Sequence, residues 1–170
     1  MSTPTLEPKN PADSIAVMTQ MILPSDANPI NAAFGGRILE WIDICGGIAA
    51  GRHCRHAVVT ASMDDLHFHA SIHVGWVVTL RARVLAAFHS SMEVGVRVTA
   101  ENPLTGEQHL TTTALLTFVA LNRDGSRAEV PPLKLETEAE RAAFEAAHAR
   151  RRGRLERKAS VVAWQRLLEP

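Results

Sequence analysis

The chain has 170 residues and a mass of 18.5 kDa, 46% of it hydrophobic residues, which suffices for one well-buried domain and is short for two. Lys+Arg and Asp+Glu number 18 each, so no net charge draws the chain to nucleic acid or to an anionic membrane. No apolar run approaches the roughly 20 residues that span a bilayer, and residues 1–10 lack an apolar signal core, which predicts a cytoplasmic protein.

Residues 1–13, with Pro4, Pro8 and Pro11 among polar neighbours, read as a flexible leader. The stretch 15–23 reads as a first strand, closed by Pro24 and the turn-forming Ser25-Asp26-Ala27-Asn28-Pro29.

The stretch 34–54 organises the rest. Ile38, Ile42, Cys45 and Ala49 recur at helical spacing, while Leu39, Trp41, Ile44 and Ile48 make the other faces apolar, which predicts a helix buried nearly all round. Between Ile38 and Ala50 the ionisable side chains are Glu40 and Asp43. A carboxylate on such a helix costs several kcal/mol unless it is paired or used, so Asp43 requires a reason. Gly35-Gly36 and Gly46-Gly47 each cost about 1 kcal/mol of helix propensity against alanine, a cost that close approach of a backbone or ligand would justify. Bare N–H groups at a helix start also suit developing negative charge. Cys45 and Cys54, nine residues apart on the helix and so about 13 Å by rise, are too distant to bridge and read as reduced core thiols.

The stretch 57–68 has a β-rich start in Val58-Val59-Thr60. The clearest sheet signals follow, with Val78, Leu80, Ala82 and Val84 alternating with polar residues, and Met92, Val94, Val96 and Val98 doing the same. After a turn at 102–107, the stretch 110–121 returns as a threonine-rich strand. Four strands in a meander are expected after the helix. Pro131-Pro132 then breaks the chain, and Thr137 with Glu140 forms a capping box for a final helix with arginines 150–152 in its last turn. A helix without a polar face is most simply covered by a curved antiparallel sheet, giving an α+β fold. A second copy beside it would cover the sheet edges.

Phe34-Gly35-Gly36 followed by Asp43, the run from Ala49 to Cys54, Ser90-Ser91-Met92-Glu93-Val94-Gly95-Val96, Thr117-Phe118-Val119-Ala120-Leu121-Asn122 and Val130-Pro131-Pro132-Leu133 together resemble the hotdog-fold acyl-CoA thioesterases of the cytosolic acyl-CoA hydrolase type. The resemblance spans residues 14–134. It implies a hotdog domain there, with 1–13 as leader and 135–170 as a C-terminal helical extension. It also implies a double-hotdog homodimer, often a trimer of such dimers (a hexamer), that hydrolyses acyl-CoA to free acid and CoA. No cofactor is implied beyond the CoA of substrate and product.

A thioester leaves as a thiolate, whose parent thiol has a pKa near ~8.5, so one carboxylate base and a few oxyanion donors suffice. Asp43 would activate the attacking water or attack directly, with amides near Gly36 holding the oxyanion. In the family the carboxylate faces the loop before the partner's helix. Where the family carries an asparagine or aspartate two residues before Phe34 this chain has Ala32, leaving Asn31 and Asn28 as the nearby amides. Thr60 and Ser62 lie where relatives place a hydroxyl near the catalytic water. The resemblance further implies substrate or CoA contacts for Gly35, Ser90 and Ser91. Arg52, His53, Arg55 and His56 form a basic cluster that favours the helix dipole and could also take CoA phosphates. His67, His69 and His73 alternate along one strand, but no cysteine or carboxylate at familiar spacing completes a tetrahedral zinc site, and no metal is expected. Two other readings stand beside hydrolysis. One is a non-catalytic acyl-CoA-binding or regulatory hotdog protein. The other is a hydroxyacyl-thioester dehydratase, which needs a histidine paired with a helix carboxylate, and no histidine precedes this helix.

Overall fold

The computed structural model describes residues 6–157. Five antiparallel strands form one sheet: β1 (Ala16–Met21), β2 (Ala57–Phe68), β3 (Val77–Ala87), β4 (Ser91–Glu101) and β5 (Gln108–Leu121), in the order β1-β3-β4-β5-β2. The helix α1 (Gly35–Cys54) connects β1 to β2, and α2 (Glu138–Arg157) follows the sheet. The chain divides at residue 134 into the unit that carries the sheet and α1 and the unit that carries α2. No described helix is long and apolar enough to cross a membrane.

Strands β3 to β5 are the expected meander, but β2 is not part of it. It crosses to the far edge and pairs with β5, from Ala57 opposite Leu121 to Phe68 opposite Thr112. Such a pairing between distant strands leaves no trace in local alternation. Register shifts between Thr60 and Ser62 and between Asp64 and His67 mark bulges on this strand.

The core lies between α1 and one face of the sheet. Ile38, Ile42, Cys45, Ala49 and Ala50 form the buried seam of the helix, against Val78, Leu80, Ala82 and Val84 of β3, Val94 and Val96 of β4, and Leu116 and Phe118 of β5. Gly46 belongs to the seam because a Cβ there would stand 3.0 Å from the Phe118 ring, so the missing side chain admits the phenylalanine. Burial is nonetheless one-sided: Ile44 is 45% and Ile48 42% exposed, because one sheet covers one side of a helix. The expectation of burial all round fails for the single chain.

The leader is also not loose from Lys9 on. Lys9 N–H donates to Pro132 O and its carbonyl accepts from Lys134 N–H, both at 2.9 Å, while Pro11–Ser14 forms a 3-10 turn. Ser14 is fully buried, donating to Pro11 O at 2.7 Å and accepting from Val84 N–H at 2.9 Å. Of the prolines that suggested flexibility, Pro11 opens this turn. In α2 the capping box is present: Glu140 N–H donates to Thr137 Oγ1 and Thr137 N–H to Glu140 Oε2, both at 3.2 Å. The helix runs on past arginines 150–152 to Arg157.

Candidate active site at the open side of the central helix

Asp43 is half-buried one position before the exposed Ile44, at the border between the covered and open faces of α1. Edge strand β2 passes beside it. Thr60, on β2, donates from Oγ1 to Asp43 Oδ1 at 2.5 Å. A short bond from a hydroxyl to a carboxylate is charge-assisted and fixes the rotamer of both groups, leaving Oδ2 for another donor.

Two helical turns earlier, α1 begins without a side-chain cap: Phe34 occupies the N-cap position in an extended conformation, and no side chain closes the turn. The amides of Gly35 and Gly36 thus belong to the orphan donors of a helix start, at the positive end of its dipole. Phe34 N–H donates to Asp26 O at 2.7 Å. The Asp26 carboxylate accepts from Leu23 N–H at 3.0 Å and pairs with Arg37 Nε at 3.0 Å, fastening the preceding loop to the first helical turn. Arg37 is an unfavourable cation at a helix start, and Glu40 at 2.6 Å offsets it. This clamp was not foreseen, since Asp26 reads in sequence as an ordinary turn residue.

A cavity of about 360 Å³ opens beside the helix start, lined by Asn28, Gly35, Ile38, Phe68, Ser71 and Ile72 among others. Asn28 Oδ1 accepts from the amides of Ile30 and Ala32, both at 3.1 Å, so it shapes the loop and also borders the cavity. Asn31 is exposed in a left-handed conformation at φ 56°, with its carbonyl accepting from Val74 N–H.

These elements match known proteins as well as each other. A family model described as thioesterase superfamily matches residues 31–107, from the loop before α1 through β4. An uncharacterised acyl-CoA thioester hydrolase of Bacillus subtilis is 43% identical over 128 residues, 75% of this chain and 74% of that protein. The chain belongs to the thioesterase superfamily. An acyl-CoA hydrolase from Bacillus cereus superposes with a TM-score of 0.89 at 34% identity, covering 96% of this chain and all of the other. An acyl-CoA hydrolase from Staphylococcus aureus, solved with butyryl-CoA, CoA and CoA disulfide, gives 0.83 at 30% identity, covering 95% and 99%. Variants of that Staphylococcus enzyme with an asparagine, an aspartate or a threonine replaced by alanine match too. The chain spans 25% of the length of the mouse acetyl-coenzyme A thioesterase that it also matches.

Within this thioesterase fold the remaining expected residues fall in different places. Ser62 Oγ donates to Asp64 Oδ2 at 3.0 Å rather than to Asp43. Ser90 and Ser91 serve the β3–β4 connection, their carbonyls accepting from Ala120 N–H and Phe88 N–H. Arg52 donates to Ile15 O, and Arg55 forms the exposed left-handed C-cap of α1 at φ 60°. Both stand nine or more residues beyond Asp43, at least about 13 Å along the helix.

His53 is a correction. It is 1% exposed, its Nε2 bonded to Pro131 O at 2.7 Å, and burial pushes its imidazole below the usual pKa despite that bond. A buried neutral ring cannot take a CoA phosphate. Its position in the seam, at i+4 from Ala49 and i+3 from Ala50, was the available signal. Burial likewise raises the pKa of Cys45 and Cys54, both free thiols. His67 stacks on His69 at 6.1 Å and His69 bonds to Thr113 Oγ1 at 3.1 Å. Among the described residues no three His, Cys, Asp or Glu side chains group closely enough to hold a metal.

Proposed function

We propose that this chain is a cytoplasmic acyl-CoA thioesterase, hydrolysing acyl-CoA to a carboxylic acid and CoA in a site completed by a second copy of itself. The observation that carries the reading is the Thr60–Asp43 bond: a carboxylate at the border of an apolar helix face, locked by one hydroxyl, with its second oxygen available to a water. Asp43 acts as the general base that takes the proton of the attacking water, and Thr60 holds the carboxylate in line. The amides of Gly35 and Gly36 receive the oxyanion, where the helix dipole adds to their hydrogen bonds. The thiolate departs without an acid because its pKa is near ~8.5.

The same helix geometry calls for two copies. Gly36 and Asp43 are seven residues apart, about 10 Å by rise, whereas base and oxyanion donors must each lie within about 3 Å of one hydrated thioester carbon. One chain cannot close that gap along its own helix. The glycine amides of one copy facing Asp43 of another can. The open edge of β2, with Val59 47% exposed and Phe68 52% exposed, and the uncovered Ile44 and Ile48 supply the surface for it. The hexameric acyl-CoA thioesterase that superposes at a TM-score of 0.86 and 38% identity is consistent with further assembly of dimers. In this arrangement Asn28 borders the acyl end of the site. Asn31, Ser62, Ser90, Ser91, Arg52 and Arg55 remain candidates for positioning or CoA contact around it.

Release of free thiol from acyl-CoAs of several chain lengths tests the proposal. Wild type should turn over, and Asp43→Ala should lose turnover while keeping its thermal stability. Binding of acyl-CoA without thiol release would instead mark a regulatory binding protein.

A further inference from the structure

Resting on the reading of this site as an acyl-CoA hydrolase, we infer that Phe68 sets the length of acyl chain the enzyme accepts. Phe68 ends β2, and its ring lies beside the start of α1: its Cζ is 3.5 Å from where a Cβ on Gly35 would stand, so a side chain there would touch the ring. It forms one wall of the 360 Å³ cavity whose floor is Ile38 and Ile72, buried to 1% and 4% exposure. Asn28 and Ser71 place polar atoms on its lining, and the Gly35 amide stands at the helix start.

A thioester whose carbonyl oxygen rests on the glycine amides therefore directs its alkyl chain over Ile38 and Ile72 and toward Phe68. In the single chain the cavity lies near the lower end of the ~300–1,000 Å³ range of ligand sites. Phe68 is the wall that can be changed without opening the core: it ends the edge strand on which the second copy adds and is 52% exposed in the single chain, whereas Ile38 and Ile72 are enclosed.

The experiment compares wild type, Phe68→Ala and Phe68→Trp on butyryl-, octanoyl- and palmitoyl-CoA by thiol release. Phe68→Ala should raise the kcat/KM ratio of palmitoyl-CoA over butyryl-CoA about tenfold, since a few newly accommodated methylenes each favour burial. Phe68→Trp should lower that ratio. A merely structural role would change all three substrates together, and an unchanged ratio in both variants would overturn the inference. The same proteins are titrated with non-hydrolysable acyl-CoA thioethers of the three lengths. If wild type shows no hydrolysis yet thioether affinity follows the same chain-length shift in the variants, the hydrolase reading fails and the role of Phe68 stands. If affinity is independent of position 68, the inference on Phe68 fails whether or not the enzyme turns over.

Discussion

Thr60 on the sheet's edge strand and Asp43 on the central helix meet through a 2.5 Å bond from hydroxyl to carboxylate. It joins the element that carries the proposed base to the edge at which a second copy can add. Because a hydroxyl donating to an ionised carboxylate contributes about 1.5–3 kcal/mol, Thr60→Val should lower kcat by about tenfold or more. Thr60→Ser keeps the donor and should recover most of the rate. Steady-state kinetics on one acyl-CoA check both, and a Thr60→Val enzyme with wild-type kcat would separate this threonine from the chemistry.

The buried His53 predicts how stability depends on pH. Its folded-state pKa lies below the unfolded value of about 6.5, so the unfolded chain binds the proton first as pH falls. Its contribution is therefore complete above about pH 6.5 and is lost progressively below it, down toward the folded pKa. Melting temperatures from pH 8 to pH 5 should fall more steeply for wild type than for His53→Gln, whose amide can still donate to Pro131 O.

The two glycine pairs predict unequal sensitivity. At Gly46 any Cβ stands 3.0 Å from Phe118, a fully enclosed ring, so Gly46→Val should destabilise by about 1–3 kcal/mol through overpacking. At Gly36 the nearest obstacle is the Phe34 ring at 2.5 Å, but that ring is 60% exposed and can swing away, so Gly36→Ala should leave stability nearly unchanged. Chemical denaturation of the two variants distinguishes them.

Both cysteines are buried with thiols of raised pKa, the state in which a thiol is inert. Neither should react with a thiol reagent in the native protein within the time of an activity assay, and both should label on unfolding. Mass spectrometry after brief alkylation reads this directly.

What could be seen in the sequence follows from how far each interaction reaches along the chain. The apolar seam of α1, the alternation of β3 and β4 and the Thr137–Glu140 box are local patterns, and each lies where its pattern places it. Asp43 stood out because a carboxylate is anomalous on such a helix. The place of β2 beyond β5 depends on residues more than 40 apart, and alternation alone is indifferent to partner. Separation along the chain also hid the anchoring of Lys9 on residues 132–134 and the approach of Phe68 to Gly35, and no periodicity links the loop residue Asp26 to Arg37 on the helix. His53 was misread because a basic residue near a helix C-terminus satisfies the dipole argument whether it points to water or into the core.

The proposed site is divided between two copies, and subunit mixing tests this division most directly. Asp43→Asn removes the proposed base. Gly36→Pro removes one proposed oxyanion amide within the first helical turn, where no intrahelical hydrogen bond is lost. Each variant alone should be inactive. After co-refolding in equal amounts, half the dimers are mixed and each holds one intact site, so activity should return to about a quarter of wild type. If mixed dimers form, as native mass spectrometry would show, and no activity returns, the glycine amides and Asp43 do not serve one substrate across two chains.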